Sequence, residues 1–126
     1  MPIPRSRLGV GVVNGVLYAI GGENASGYTA RVDAYDPATN RWTSMSPLLN
    51  LTESLGVATI NDILYHVGLV PLPSAGFTIQ AEAFDPVANL WTAVETPPLN
   101  QPYGIGVGLV DGVLYVAGYP TLAYLP

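Results

Sequence analysis

Glycine and valine alternate along LGVGVVN, positions 8–14, so that one side of this stretch is apolar and the other nearly bare. A period of two is the signature of a β-strand, and a bare face marks a place where another element comes close. Asn14-Gly15 follows, the pair that tolerates positive φ at both central positions of a tight hairpin, and VLYAIGG returns as a second strand. The same pattern recurs without gaps: Leu8–Gly21 matches Leu55–Gly68 at an offset of 47 (65 minus 18) and Ile105–Gly118 at a further 50 (115 minus 65). Asn61-Asp62 and Asp111-Gly112 repeat the turn chemistry. A second block, VDAYDPATNRWTS from Val32, matches AEAFDPVANLWTA from Ala81 at an offset of 49 (91 minus 42). It reads as a third strand, a turn in which Asp36 caps, Pro37 presets φ and Asn40 takes the left-handed region, and a fourth strand from Trp42.

A period near 50 residues signals a repeat architecture, in which one supersecondary unit cannot bury its own faces and stacks on its neighbours. The predicted fold class is all-β, with four-stranded antiparallel meanders as propeller blades. The expected units are 5–50, 51–100 and a partial third at 101–126, about two and a half blades, with the third limited to its first hairpin.

The first unit resembles the kelch repeat. Arg5 precedes the first strand, Tyr18 precedes Gly21-Gly22, and Tyr35-Asp36-Pro37 and Trp42 complete the motif. The later units carry it as Tyr65, Gly68, Phe84 and Trp91, then Tyr115 and Gly118, with departures: Thr52 stands in place of Arg5, Leu69 and Tyr119 in place of Gly22. Loss of the double glycine predicts altered loops after the second strand. The resemblance implies a propeller that binds partners on the face made by the loops between second and third strands and between successive units. It also implies that both Trp residues sit in the core between blades.

Composition agrees with short strands and tight turns: among 126 residues there are 14 Gly and 12 Pro, and only 10% are charged. All four cations (Arg5, Arg7, Arg31, Arg41) precede Trp42, Lys is absent, and the net charge is -5. Nucleic acid and anionic membrane, which require clustered Lys and Arg, are therefore not expected partners. Without Cys there is no disulfide framework or thiolate site. His66 is the single imidazole, so no metal site is expected; it reads as a hydrogen-bonded packing residue between blades. No serine lies in a GxSxG elbow, and no cofactor or catalytic residue is assigned. NAS at Asn24 and NLT at Asn50 fit the N-glycosylation triplet.

The candidate binding residues are those of the loops: Glu23, Tyr28, Arg31, Glu53, Phe77 and Tyr103. An aromatic ring and a carboxylate on neighbouring loops can grip a peptide or a sugar. The expected function is a non-catalytic protein- or peptide-binding module, with a carbohydrate-binding or sugar-active propeller as the alternative. MPIPR resembles the inter-unit segments SPLLN and TPPLN, which suggests a piece of a longer array. The competing expectation is self-association of two chains to close the propeller.

Overall fold

The computed structural model describes residues 1–73, 76–94, 106–111, 113–118 and 121–125. The first sheet is the meander β1 (Gly9–Val13), β2 (Val16–Ile20), β5 (Val32–Asp36) and β6 (Arg41–Met45). The second runs β7 (Glu53–Ile60), β8 (Ile63–Pro71), β9 (Phe77–Asp85) and β10 (Leu90–Val94). All pairings within the two sheets are antiparallel. Asn14 and Gly15 adopt φ of 49° and 77°, and Asn61 and Asp62 φ of 49° and 64°, so both hairpins turn as their sequences demand. Asp36 Oδ1 accepts from Ala38 N–H at 2.9 Å, and Asn40 sits at φ 54°.

Three features depart from the expected blades. The first inter-strand loop contains a small hairpin of its own, β3 (Glu23–Asn24) with β4 (Gly27–Tyr28). It departs from β2 through Gly21 and Gly22 at φ 62° and 99°, and a Cβ on Gly22 would stand 2.5 Å from the Ser6 carbonyl. In the second unit Leu69 replaces that second glycine, and the strands continue: Leu69 pairs with Ile79 and Pro71 with Phe77. The ladder thus takes in Val70, Pro71, Phe77 and Thr78, because without the glycine the backbone stays extended. The third correction concerns the last unit. Beyond the hairpin of β11 (Gly106–Val110) and β12 (Val113–Gly118) there is a third strand, β13 (Thr121–Leu125), paired antiparallel to β12.

Each sheet has two faces, here termed front and back. On the back of the first lie Gly9, Gly11, Tyr18, Ile20, Val32 and Ala34; on the front of the second lie Val57, Leu64, His66, Glu82, Phe84 and Trp91. These two faces pack together into the main core, with Leu48 of the connecting segment. The bare positions of β1 are what allow it: a Cβ at Gly9 would lie 2.5 Å from Val57 Cγ2, and one at Gly11 would lie 2.5 Å from Leu64 Cδ2. The glycines thus admit side chains of the next sheet. The first strands are neighbours, β7 packing beside both β1 and β11. A smaller core of Val67, Ile79 and Ala81 fills the back of the second sheet.

The two tryptophans differ, contrary to expectation. Trp91 is 4% exposed, stacks on Phe84 with ring centres 4.8 Å apart and donates from Nε1 to Ser46 O at 2.9 Å across the sheets. Tyr18 meets Phe84 edge-on at 5.7 Å. Trp42 lies on the front of the first sheet, half-buried against Tyr35 at 5.0 Å, with no sheet packed over it among the described residues. Burial, not residue type, sets the energetic weight of the ring. Trp91→Ala is therefore expected to cost about 3–5 kcal/mol and Trp42→Ala less than half of that. Urea unfolding of both variants checks this, and equal losses would refute the asymmetry.

Candidate functional site

At one end of the two sheets the N-terminal segment, the β3–β4 hairpin and the start of β7 come together. Ser6 and Glu23 exchange backbone hydrogen bonds at 2.9 and 2.8 Å, and Ser54 N–H donates to Arg7 O at 3.0 Å. This stitching places Arg7 Nη1 3.5 Å from Glu23 Oε2 and 3.7 Å from Glu53 Oε2. Tyr28 OH reaches the same Glu53 oxygen at 3.5 Å. One cation thus faces two carboxylates and a phenol, all partly open to solvent. Beside Glu23 along the hairpin, a shallow groove of about 500 Å³ is lined by Ile3, Pro4, Asn24, Ala25 and Ser26.

Beneath this rim lies a buried ionic knot. The Arg5 guanidinium donates to Gly21 O at 2.9 Å, Arg31 O at 2.7 Å and Asp33 Oδ2 at 2.9 Å. The side chains of Arg5 and Asp33 are both fully enclosed. Arg31 completes the knot, with Nε 2.7 Å from Asp33 Oδ2 and Nη2 2.9 Å from Oδ1. Burial pushes the Arg5 pKa down and Asp33 opposes it, whereas hydrogen bonding to Asp33 pushes Arg31 up. A guanidinium satisfies the carbonyls of a chain leaving its sheet, so the knot fixes the root of the hairpin.

The second unit rebuilds the same position without arginine. Glu82 stands where Asp33 stood (82 minus 33 is 49), Thr52 where Arg5 stood (52 minus 5 is 47) and His66 where Ala19 stood (66 minus 19 is 47). All three are buried. Glu82 Oε1 accepts from Leu49 N–H at 2.6 Å and so holds the segment that joins the sheets. Its Oε2, both ring nitrogens of His66 and Thr52 Oγ1 meet no hydrogen-bond partner among the described residues. The hydrogen-bonded histidine expected from the sequence is therefore not found. The ring instead packs edge-on to Trp91, centres 6.4 Å apart. Burial lowers the His66 pKa from 6.5 to about 4 and raises that of Glu82, the Leu49 hydrogen bond opposing the latter.

Of the candidate binding residues, Glu23, Tyr28 and Glu53 meet at the rim. Arg31 is drawn inward to Asp33, and Phe77 lies 43% exposed at the start of β9 in the second sheet. Tyr103 lies outside the described residues. Arg7, Asp33 and Glu82 were not singled out by sequence. Asp33 and Glu82 carry a usable signal, a charge at an alternating position inside an otherwise apolar strand. Among the described residues no group of three His, Cys, Asp or Glu side chains is placed to hold a metal ion.

The buried histidine makes stability pH-dependent. In the unfolded chain His66 takes up a proton near 6.5, in the fold only near 4. Its contribution is complete above the unfolded value and is lost as pH falls towards the folded one, about 2 kcal/mol of it between neutrality and pH ~5. Glu82 has the opposite sign: its raised pKa stabilises the fold at low pH and offsets part of the loss. His66→Ala is expected to lower stability at neutral pH and to remove most of this acid sensitivity. Chemical unfolding at both pH values checks it, and an unchanged slope with pH would refute it.

The family model described as the Kelch motif matches residues 4–49. Kelch-like ECH-associated protein 1A of Danio rerio is 40% identical over 72 residues, and Kelch-like protein 41a of the same organism is 34% identical over 67. These alignments cover 54% and 53% of this chain but only 12% and 11% of those proteins, so the chain spans a small part of their length. Among solved structures, that of YjhT superposes with a TM-score of 0.74 over 92% of this chain and 34% of that one, at 17% identity. The fold is thus shared where the sequence has diverged. Residues 4–49 thus carry a Kelch motif built on Arg5, Gly21-Gly22, Tyr35 and Trp42, and the four-stranded antiparallel meanders are blades of a β-propeller fold.

Proposed function

We propose that this chain is a non-catalytic binding module that offers the rim at Glu23, Tyr28 and Glu53 to a protein or peptide. The observation that carries the reading is the juxtaposition of these three groups around Arg7, each on a different segment and each fixed by backbone hydrogen bonds. Side chains held in place before contact lose little freedom on binding, and a phenol between carboxylates offers both apolar area and acceptors. Two carboxylates around one guanidinium leave a net negative cluster, so a partner segment with Lys or Arg fits best. The adjoining groove along Ile3, Pro4 and Asn24 has room for apolar side chains of the same segment. One relative is named for association with another protein, which supports a role in protein binding.

The rim ion pairs are partly solvated and worth little to the fold. Replacing both Glu23 and Glu53 with Ala is therefore expected to leave the melting temperature nearly unchanged. Against peptides selected for binding from a display library, the same change should weaken affinity about tenfold, mainly through slower association. Binding that is indifferent to this double substitution would move the site elsewhere. A carbohydrate array run in parallel distinguishes a sugar ligand.

A further inference from the structure

Thr52 belongs to two places at once. Its carbonyl accepts from the Gly22 N–H at 3.1 Å, at the root of the β3–β4 hairpin, and Gly22 O in turn accepts from Thr29 N–H at 2.9 Å, where the chain leaves that hairpin. The residues after it build the rim: Glu53 carries one of the two carboxylates, and Ser54 N–H holds Arg7 O. The Thr52 side chain points the other way, towards the front of the second sheet, and is fully buried. A Cβ at Gly68 would lie 2.7 Å from Thr52 Oγ1 and 2.9 Å from His66 Cε1, so hydroxyl and imidazole press on the same bare position. On the other side, a Cβ at Gly21 would meet Thr52 Oγ1 at 3.3 Å. Thr52 is therefore wedged between the turn that launches the hairpin and the buried imidazole.

His66 is the group against this wedge that can change its charge. Around it stand Val57 and Glu82 on the flanking strands, Gly68 and Thr52, and Trp91 edge-on. Glu82 is the titratable one among these; Tyr18, on the facing sheet, keeps its proton throughout the acid range because burial raises its pKa. Asp33, with its two arginines, points to the opposite face of the first sheet. The neutral ring fits this enclosure, but an imidazolium brings a charge and two N–H donors that must be satisfied. Its neighbours offer Glu82 Oε2 and Thr52 Oγ1, both without a hydrogen-bond partner among the described residues. Turning ring or hydroxyl to meet the new charge disturbs the close packing over Gly68, and Thr52 is the piece that gives.

We propose that Thr52 transmits the charge of His66 to the rim: a proton on the imidazole dislodges Thr52, frees the Gly22 N–H and loosens the hairpin that carries Glu23 and Tyr28. The device regulates the surface assigned above to partner binding, and its use rests on that reading. Capture of a partner at the ordered rim and proton uptake at His66 then oppose each other by the same factor. The enclosed ring takes up a proton only near pH 4, but a ring whose pocket has opened does so near its ordinary value, so loosened rims accumulate as pH falls below neutrality.

Amide hydrogen exchange of the free chain, read residue by residue by NMR, tests the link without a ligand, so its outcome does not depend on whether the rim binds a peptide. Between neutrality and pH ~5, after correction for the intrinsic rate, the Gly22 N–H is expected to lose protection about tenfold. The Ser46 N–H, bonded to Asn89 Oδ1 at the far edge of the second sheet, should keep its own. His66→Phe retains a ring against Trp91 but takes up no proton, and should make Gly22 protection independent of pH. Glu82→Gln removes the other titratable group and should leave the response in place. In the wild-type chain the imidazole shifts report the titration of His66 directly, and the loss at Gly22 must share its midpoint, a criterion that stands even where a variant fails to fold. Constant protection at Gly22, a parallel loss at Ser46 or a midpoint apart from that of the ring overturns the proposal. So does a response that survives in His66→Phe, or one that vanishes in Glu82→Gln, which would assign the switch to the carboxylate.

Discussion

A meandering sheet of four strands buries neither of its faces, and everything else in this molecule depends on how closely the next sheet can approach. That distance is set at β1, where Gly9 and Gly11 leave room for Val57 and Leu64 of the second sheet. A methyl group at either glycine would lie 2.5 Å from these side chains, so that they or the sheets must give way and part of the dispersion contact is lost. Behind that close contact Tyr18, Phe84 and Trp91 interlock edge to face and face to face. The hydrogen bond from Trp91 to Ser46 O, and that from Ser46 N–H to Asn89 Oδ1 at 2.9 Å, tie the connecting segment to the far edge of the second sheet.

Against this common frame the first two units solve one local problem in two ways. In the first, a buried guanidinium ties the N-terminal segment to the carbonyls of Gly21 and Arg31, with Asp33 as its counter-charge. The backbone is then free to leave the ladder, and a hairpin rises from it. In the second, Thr52 cannot span that distance, the ladder continues to Pro71, and Glu82 turns instead to the Leu49 N–H. The cost is a set of buried polar atoms around His66 without hydrogen-bond partners among the described residues. The acid sensitivity of the fold and the shape of its loops share this origin.

The rim follows from the same divergence. Only where the hairpin rises do Glu23 and Tyr28 reach Arg7 and Glu53, so the first unit makes the more elaborate surface. Loops on a rigid sheet edge can vary without disturbing the core, which is why binding residues gather there. The apolar front of the first sheet is a different kind of surface, one whose register repeats that of a packed interior.

Local chemistry was legible in the chain. Alternation located the strands, Asn14-Gly15 and Asn61-Asp62 fixed the hairpins, and the spacing of Trp42 and Trp91 announced repeated sheets. Three of the six candidate loop residues, Glu23, Tyr28 and Glu53, come together at the rim. What sequence could not supply was which copies of a motif are covered. Trp42 and Trp91 occupy the same position in their units, and only the presence of a neighbouring sheet makes one a core residue and the other a surface one. The partners of Asp33 and Glu82, the lack of a hydrogen-bond partner for His66 among the described residues and the extra strand β13 were decided in the same way. Residue pattern encodes the face that a side chain takes, because that depends on backbone period alone. Burial and pairing depend on segments distant in the chain, and these become neighbours only when the sheets stack.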